Sequence, residues 1–400
     1  MRITQTRDIR AENRLEILRC LLEHSPLSRQ ELCRRTGLNK STVSIIVKEL
    51  MERGLVVETE LGTSAGGRKP IMLKPSVEAG FVVAVDLDVS GVEAMATDLS
   101  GERVLASRRA RIADPAFPAV RAQLFEAIDA LVAERPPSRY GLVGIGVAVH
   151  GVVDLLGTIR FVPQLAWHNI DIRSLLAERY GVPVLVDGDG NLAAMVQQRA
   201  EAREDEGGRD RDGDAARDLA LVSIGDTISG GQIIGGHVLR GHHGFANAIG
   251  HHTVNQDEPV QCRCGRYGCW EQYVSDAAIL ARASAGRERP VESMDELIGL
   301  IRHQDPVAQE TLDYFVTHLA IGLTNIIFLF DTQLIAINSR LLDAFPYYLP
   351  EVKRRMTLPI THSERVVLAR MGGRGAILGA AAAAVDRFLQ GLSAGEAGQA

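Results

Sequence analysis

The chain has 400 residues, 46% of them hydrophobic, and a formal net charge of −6. This length and apolar content point to two or three globular units rather than one. Five cysteines in such a length fit a reducing compartment better than an export route. The N-terminus carries Arg2, Arg7, Asp8 and Arg10 with no apolar core segment, so no signal peptide is expected. The longest apolar run, residues 319–330, is too short to span a bilayer. A soluble, cytoplasmic protein without a membrane partner is the expectation.

Charge is unevenly spread: residues 1–75 hold 14 Lys/Arg against 9 Asp/Glu, so a basic head precedes an acidic body. That asymmetry is expected when only the head meets nucleic acid, although so small an excess is also compatible with a solvated face. Leu15, Ile17, Leu18, Leu21 and Leu22 recur at helical spacing across residues 13–25. Ser28 followed by Glu31 reads as a capping box opening a second helix through Arg35. Gly37 turns the chain, and Asn39 can cap a third helix to about Arg53, buried through Val43, Ile46, Val47 and Leu50. Helix, helix, glycine-containing turn and helix form a helix-turn-helix pattern, the last helix entering a major groove by its N-terminal residues.

Strand-like residues 55–59 and 71–73 flank Gly66-Gly67-Arg68-Lys69-Pro70, a wing whose tip offers two cations on a bare backbone to a minor groove. Double-stranded DNA is the expected partner, contacted by Asn39, Lys40, Ser41, Thr42, Ser44, Lys48, Arg68 and Lys69. The competing reading is a small helical interaction module with a basic loop. Cys20 and Cys33 fall among apolar helix positions and read as core.

Residues 75–80 read as a joint. Strand-like stretches at 81–86, 144–149, 182–186, 219–224 and 231–239 then alternate with helices such as 116–134, which indicates an α/β body. A charged, glycine-rich insert at 203–217 reads as a mobile loop without chemistry. No internal repeat is visible.

The densest chemistry lies in Gly250-His251, Cys262-Arg263-Cys264-Gly265 and Gly268-Cys269-Trp270-Glu271. One imidazole and three thiols are a standard tetrahedral set for structural zinc, so His251, Cys262, Cys264 and Cys269 are the expected ligands of one ion per chain. Gly265 and Gly268 permit the positive-φ turns that aim three sulfurs at one point. The alternative is three ordinary buried thiols beside an unrelated histidine; a disulfide fits less well, because Cys262 and Cys264 are too close to pair comfortably. His252 competes with His251 as ligand, and the Gly-His order favours His251.

With these motifs, the chain resembles the ROK family over nearly its whole length, and specifically the family's winged-helix repressor branch. The resemblance implies an actin-like, ribonuclease-H-like pair of α/β lobes behind a winged helix-turn-helix. Residues 1–75 would be the DNA-binding domain and 80–190 the first lobe, with the C-terminal helix 376–392 packing back on it. Residues 191–375 would be the second lobe, carrying the metal motif. It also implies a sugar site in the cleft. His251 and Glu271 would contact the sugar, and Asp189 and Asn191 match the family's Asn-Asp-Ala-Asn kinase motif, in which the Asp is the base and Gly188 here replaces the first Asn. Ala248 stands where the family usually has a sugar-binding Glu, which puts the usual hexose specificity in doubt.

Three phosphate-binding stretches depart from the kinase pattern: Asp86-Leu87-Asp88-Val89-Ser90 for Asp-x-Gly-Gly-Thr, Gly225-Asp226-Thr227 for Gly-Thr-Gly, and Asn338-Ser339 for Gly-Gly. Carboxylates at Asp88 and Asp226 would repel a polyphosphate. The expectation is a non-enzymatic, sugar- or aminosugar-responsive repressor of carbohydrate genes, acting as a homodimer or homotetramer. The alternatives are an active sugar kinase with a DNA-binding appendage, or a regulator answering to a protein partner.

Overall fold

A computed structural model describes residues 6–61, 70–205, 217–246, 248–257, 260–356 and 366–394. The wing tip with Arg68 and Lys69, and most of the charged insert, lie outside the described residues.

The head contains α1 (Thr6–His24), β1 (Leu27–Ser28), α2 (Arg29–Thr36), α3 (Lys40–Glu52), β2 (Val56–Leu61) and β3 (Ile71–Pro75). The capping box is formed: Ser28 N donates to Glu31 Oε2 at 2.7 Å, and Glu31 N to Ser28 Oγ at 3.2 Å. Gly37, at φ +70°, closes α2 in the left-handed conformation that favours glycine. Asn39 caps α3, its side-chain oxygen accepting from Thr42 N at 2.9 Å. α1 begins well before residue 13. Its first turns are held by the charges of Arg10 and Arg14 on Glu49 of α3, not by apolar spacing. The sheet order β1-β3-β2 includes a two-residue strand too short to read from sequence.

In the body, β4 (Gly80–Leu87), β5 (Gly91–Asp98) and β6 (Val104–Arg111) form an antiparallel meander covered by α4 (Phe117–Ala133). β7 (Gly141–Val149) runs parallel to β4. A small sheet of β8 (Val152–Val153), β9 (Ile159–Val162) and β10 (Trp167–Ile170) follows, then α5 (Ile172–Tyr180) and β11 (Val184–Gly188), parallel to β7. α6 (Asp189–Asp205) leads to the second sheet: the meander β12 (Leu219–Ile224), β13 (Ile228–Ile234) and β14 (His237–Val238). The helices α7 (Glu271–Val274), α8 (Asp276–Ser284), α9 (Met294–Arg302) and α10 (Pro306–Phe330) precede β15 (Leu334–Ser339). α11 (Arg340–Ala344), α12 (Leu349–Arg355), β16 (Val366–Leu368) and α13 (Gly375–Ala394) complete the body.

The orders β11-β7-β4-β5-β6 and β14-β13-β12-β15-β16 are one topology used twice: an antiparallel meander whose first strand is extended on its other side by two parallel strands in succession. The repeat invisible in the sequence is therefore a repeat of topology.

Between the sheets, α6 lies on β12 and β13, α13 lies on β4, β7 and β11, and the two helices pack on each other. Glycines allow the close approach: a Cβ on Gly379 would meet Leu192 O at 2.2 Å, and one on Gly146 would meet Ala380 O at 2.0 Å. α10 is longer than the apolar run suggests, at 25 residues, and is long and apolar enough to cross a membrane. Here it serves as a core helix, burying Leu312, Phe315, Leu319, Leu323 and Ile326.

The head does not stand apart from the body. Leu18 and Leu21 of α1 share one apolar core with Phe388, Leu389 and Leu392 of α13. Arg14 and Arg53 donate to Leu392 O at 3.2 and 3.4 Å, and Tyr140 Oη donates to Arg53 O at 2.8 Å.

Candidate effector cleft, metal cluster and DNA-facing helix

β11 ends at Gly188 and the chain turns directly into α6, which puts Asp189 in the helix's first turn, at the mouth between the lobes. Gly190 and Gly231 meet backbone to backbone, a Cβ on Gly231 lying 2.1 Å from Gly190 O, so the start of α6 is seated directly on β13. Gly188, Asp189, Asn191, His251 and Glu271 all line one cavity, together with Ser229, Phe245 and Ala248.

Asp189 is buried and accepts from the Ser229 hydroxyl at 2.5 Å across the cleft. Burial pushes its carboxyl upward, opposed first by the charge of His150 and then by Ser229. Asn191 Nδ2 donates to Asp187 Oδ1 at 2.7 Å, and Asp187 also receives Arg240 Nη2 at 2.6 Å, so Asn191 is held by a half-buried ion pair. Glu271 is 6% exposed and accepts from Ile228 N at 3.2 Å. Burial raises its carboxyl, with Ile228 and Arg263 opposing.

Three residues absent from the sequence reading complete this wall. Ser229 and Phe245 carry no motif of their own. His150 follows β7, and its partners are distant in sequence: Nε2 lies 2.9 Å from Asp86 Oδ1, and Nδ1 lies 3.4 Å from Asp189 Oδ2 and 3.6 Å from Asp88 Oδ1. A second cavity of about 520 Å³ behind His150 is lined by Asp86, Asp88, Asp226, Asp276 and Asn338. There the Asp88 carboxylate accepts from Val89 N at 2.6 Å and from Ser90 Oγ at 2.8 Å. Both donors belong to its own loop. Asn338 is turned onto Ser223 Oγ at 2.9 Å, and Ser339 caps α11.

The metal cluster adjoins the first cavity. One ligand atom from each of His251, Cys262, Cys264 and Cys269 lies within 4.8 Å of every other. Cys262 Sγ to His251 Nδ1 is 3.7 Å, and Cys264 Sγ to Cys269 Sγ is 3.6 Å. A tetrahedral ion with zinc's bond lengths has edges of about 3.5–3.8 Å. All five cysteines are free thiols. Burial pushes the Cys262 and Cys269 thiols upward. Gly265 and Gly268 adopt φ +89° and +68°, and a Cβ on Gly268 would lie 1.6 Å from Asn255 O. His252 stays outside the cluster, its ring against Trp270 at 5.1 Å between centroids. Trp270 is fully buried, donates from Nε1 to His318 O at 2.9 Å and covers Gly322 of α10. The loop carrying Glu271 is therefore anchored to the second-lobe core on one side and to the thiol cluster on the other.

On α3, Lys40, Ser41, Ser44 and Lys48 are exposed and Thr42 is half-buried. Asn39 is exposed, but its side-chain oxygen is engaged by Thr42 N and Ser41 Oγ in the cap. Ile45, 53% exposed, shares this outer face and belongs to no motif. Its signal was available, because an apolar side chain among hydroxyls on a recognition helix can meet a thymine methyl.

Two lobes of repeated topology around a polar cleft, joined to a winged helix-turn-helix, define a sugar-kinase-like body with a DNA-binding head. The chain belongs to the ROK family, whose model matches residues 82–387; a winged helix-turn-helix DNA-binding model matches residues 10–57. It is 32% identical to the xylose repressor of Bacillus subtilis (strain 168) over 385 residues, 95% of this chain and 97% of that protein. Identity to the N-acetylglucosamine repressor of Escherichia coli O157:H7 is 26% over 373 residues, 88% of each chain. Its fold matches a ROK family transcriptional regulator, a homolog of the E. coli MLC protein, with a TM-score of 0.79 at 22% identity, covering 98% of this chain and 99% of that one. A ROK family glucokinase from Streptomyces griseus in complex with glucose and AMPPNP matches with a TM-score of 0.64 at 24% identity, covering 76% of this chain and 99% of that one. At those identities the structural likeness is one of fold.

Proposed function

We propose that the protein is a sugar-responsive repressor that binds operator DNA in the cytoplasm and uses a non-catalytic sugar-kinase-like body as its sensor. One observation carries this reading: the residues suited to hydroxyl recognition converge on one cavity, while Asp88 satisfies its own phosphate loop. Asp189, Glu271 and His251 supply acceptors and a ring N–H for a neutral sugar, with Asn191 and Gly188 shaping the wall. Ala248 gives no carboxylate at its position, so the site has one charged acceptor fewer than the family's usual hexose site. Relatives named for xylose make D-xylose the first effector to test.

In this reading a structural zinc is held by His251 Nδ1, Cys262, Cys264 and Cys269. The ion fixes the His251 ring and the start of the loop bearing Glu271. DNA is contacted by Lys40, Ser41, Thr42, Ser44, Ile45 and Lys48 of α3, with Asn39 capping the helix, and by Arg68 and Lys69 of the wing. Two heads must be held at fixed spacing to match two half-sites, so the working unit is a homodimer or a pair of dimers. An exposed apolar stripe on α10, with Phe328 59% and Leu329 70% exposed, offers one surface for a second copy. Effector binding at Asp189 biases α6, then α13, then the α1–α3 unit that shares its core. The test is operator binding titrated with neutral sugars, with the sugar expected to change DNA affinity and ATP expected to have no effect.

A further inference from the structure

We propose that His150 is an internal cation that positions the effector site: its imidazolium, set between the two cavities, holds Asp189 as an ionised hydroxyl acceptor. This rests on the reading of Asp189 as an effector contact, and adds to it a residue that no motif marks.

The geometry carries the inference. His150 sits at the end of β7, its own amide on Leu87 O at 3.2 Å. Its ring is four-fifths buried and lines both cavities. Carboxylates face both nitrogens: Asp86 at Nε2, at 2.9 Å, and Asp189 and Asp88 at Nδ1, at 3.4 and 3.6 Å. A neutral imidazole donates from one nitrogen and accepts at the other, whereas an ionised carboxylate only accepts. Acceptors at both nitrogens are satisfied together when the ring carries both protons. The groups facing it come from four places: Asp86 in β4, Asp88 in the following loop, Asp189 in α6, and Asp226 in the turn after β12. Burial alone would lower the histidine's pKa; the carboxylates outweigh it and hold it well above its ordinary value.

The consequence falls on Asp189. Its burial favours the protonated acid, and His150 is the largest influence opposing that. Without the cation, Asp189 takes up a proton and weakens as an acceptor for a sugar hydroxyl. The same cation partly offsets Asp86 and Asp88.

Two measurements test this on the full-length protein. In the first, ring ¹⁵N shifts of His150 are recorded by NMR near neutral pH, the assignment taken from the H150Q spectrum or from selective labelling. Both nitrogens are expected to be protonated, and a neutral ring overturns the proposal. The second is calorimetric titration of wild type, H150Q and H150K with D-xylose, D-glucose and N-acetyl-D-glucosamine between about pH 6 and 9. H150Q is expected to bind the wild-type sugar about ten-fold more weakly. Its affinity should rise with pH as Asp189 ionises, whereas wild-type affinity should stay level over the same range because Asp189 is already ionised beside the imidazolium. H150K, which keeps a cation, is expected to recover part of the loss. Sugar binding by wild type with the same affinity and pH slope in H150Q overturns the assignment alone. If wild type binds none of the sugars, the effector reading fails and the positioning role falls with it, whatever the ring's protonation.

Discussion

Arg14, in the first helix, donates from Nη1 to the carbonyl oxygen of Leu392, near the end of the last helix, at 3.2 Å. This bond joins the DNA-binding head to the helix that packs on α6, whose first residue is Asp189. It stands beside a shared apolar core, so the head follows α13 through packing and hydrogen bonding together.

Arg14→Leu removes one polar bond of that junction, leaving Arg53 on Leu392 O, and keeps much of the packing. Sugar affinity is expected to stay at the wild-type value, while the sugar's effect on operator affinity drops about five-fold. Parallel calorimetry and DNA-binding titrations check this. An undiminished sugar effect would show that coupling runs elsewhere.

Removing one thiol tests the metal cluster. Cys264→Ser should lower bound zinc from about one ion per chain to near none, read by elemental analysis, and lower Tm by about 5 °C or more. Sugar response should weaken with it, because Glu271 lies two residues beyond Cys269. A Cys264→Ser protein with full zinc content would contradict the ligand assignment.

The local parts of this architecture were legible because their causes are local. Ser28 and Glu31 spell a capping box within four residues, and the three thiols lie within eight. The long-range parts were not. β1 is two residues paired to β3, and α1 starts early because Arg10 and Arg14 reach Glu49 on another helix. His150 has no motif, since Asp86 lies 64 residues away in the chain and meets it only after β4 and β7 pair. The twofold use of one sheet topology leaves no sequence repeat, since only strand order is shared.

A buried acid gives a pH dependence with a defined sign. Asp276 is 5% exposed, and its pKa is pushed up from 3.8 to about 7, by burial first and Asp226 second, with Arg340 opposing. A raised folded-state value means that the native protein binds the proton more tightly. The group's contribution is therefore favourable at low pH and is lost as pH rises from about 4 to about 7. The loss is at most about 4 kcal/mol. Asp276→Asn should raise Tm at about pH 8, and the gain should vanish near pH 4. Thermal denaturation at several pH values checks this; a gain of equal size at every pH would contradict it.

Glu271→Gln keeps the side-chain shape and removes the charge. A charge-assisted bond to a hydroxyl contributes about 1.5–3 kcal/mol, so sugar affinity should fall about 10- to 100-fold. Operator affinity without sugar should not change. Calorimetry and DNA binding on the same preparation separate the two.

The central claim is that a kinase-like body serves here as a sensor and not as a catalyst. The most direct test is binding of the purified protein to operator fragments, titrated with D-xylose, other neutral sugars and their phosphates, with ATP turnover followed in the same samples. One neutral sugar is expected to change DNA affinity while ATP is untouched. Sugar-dependent consumption of ATP with formation of a phosphorylated sugar would contradict it.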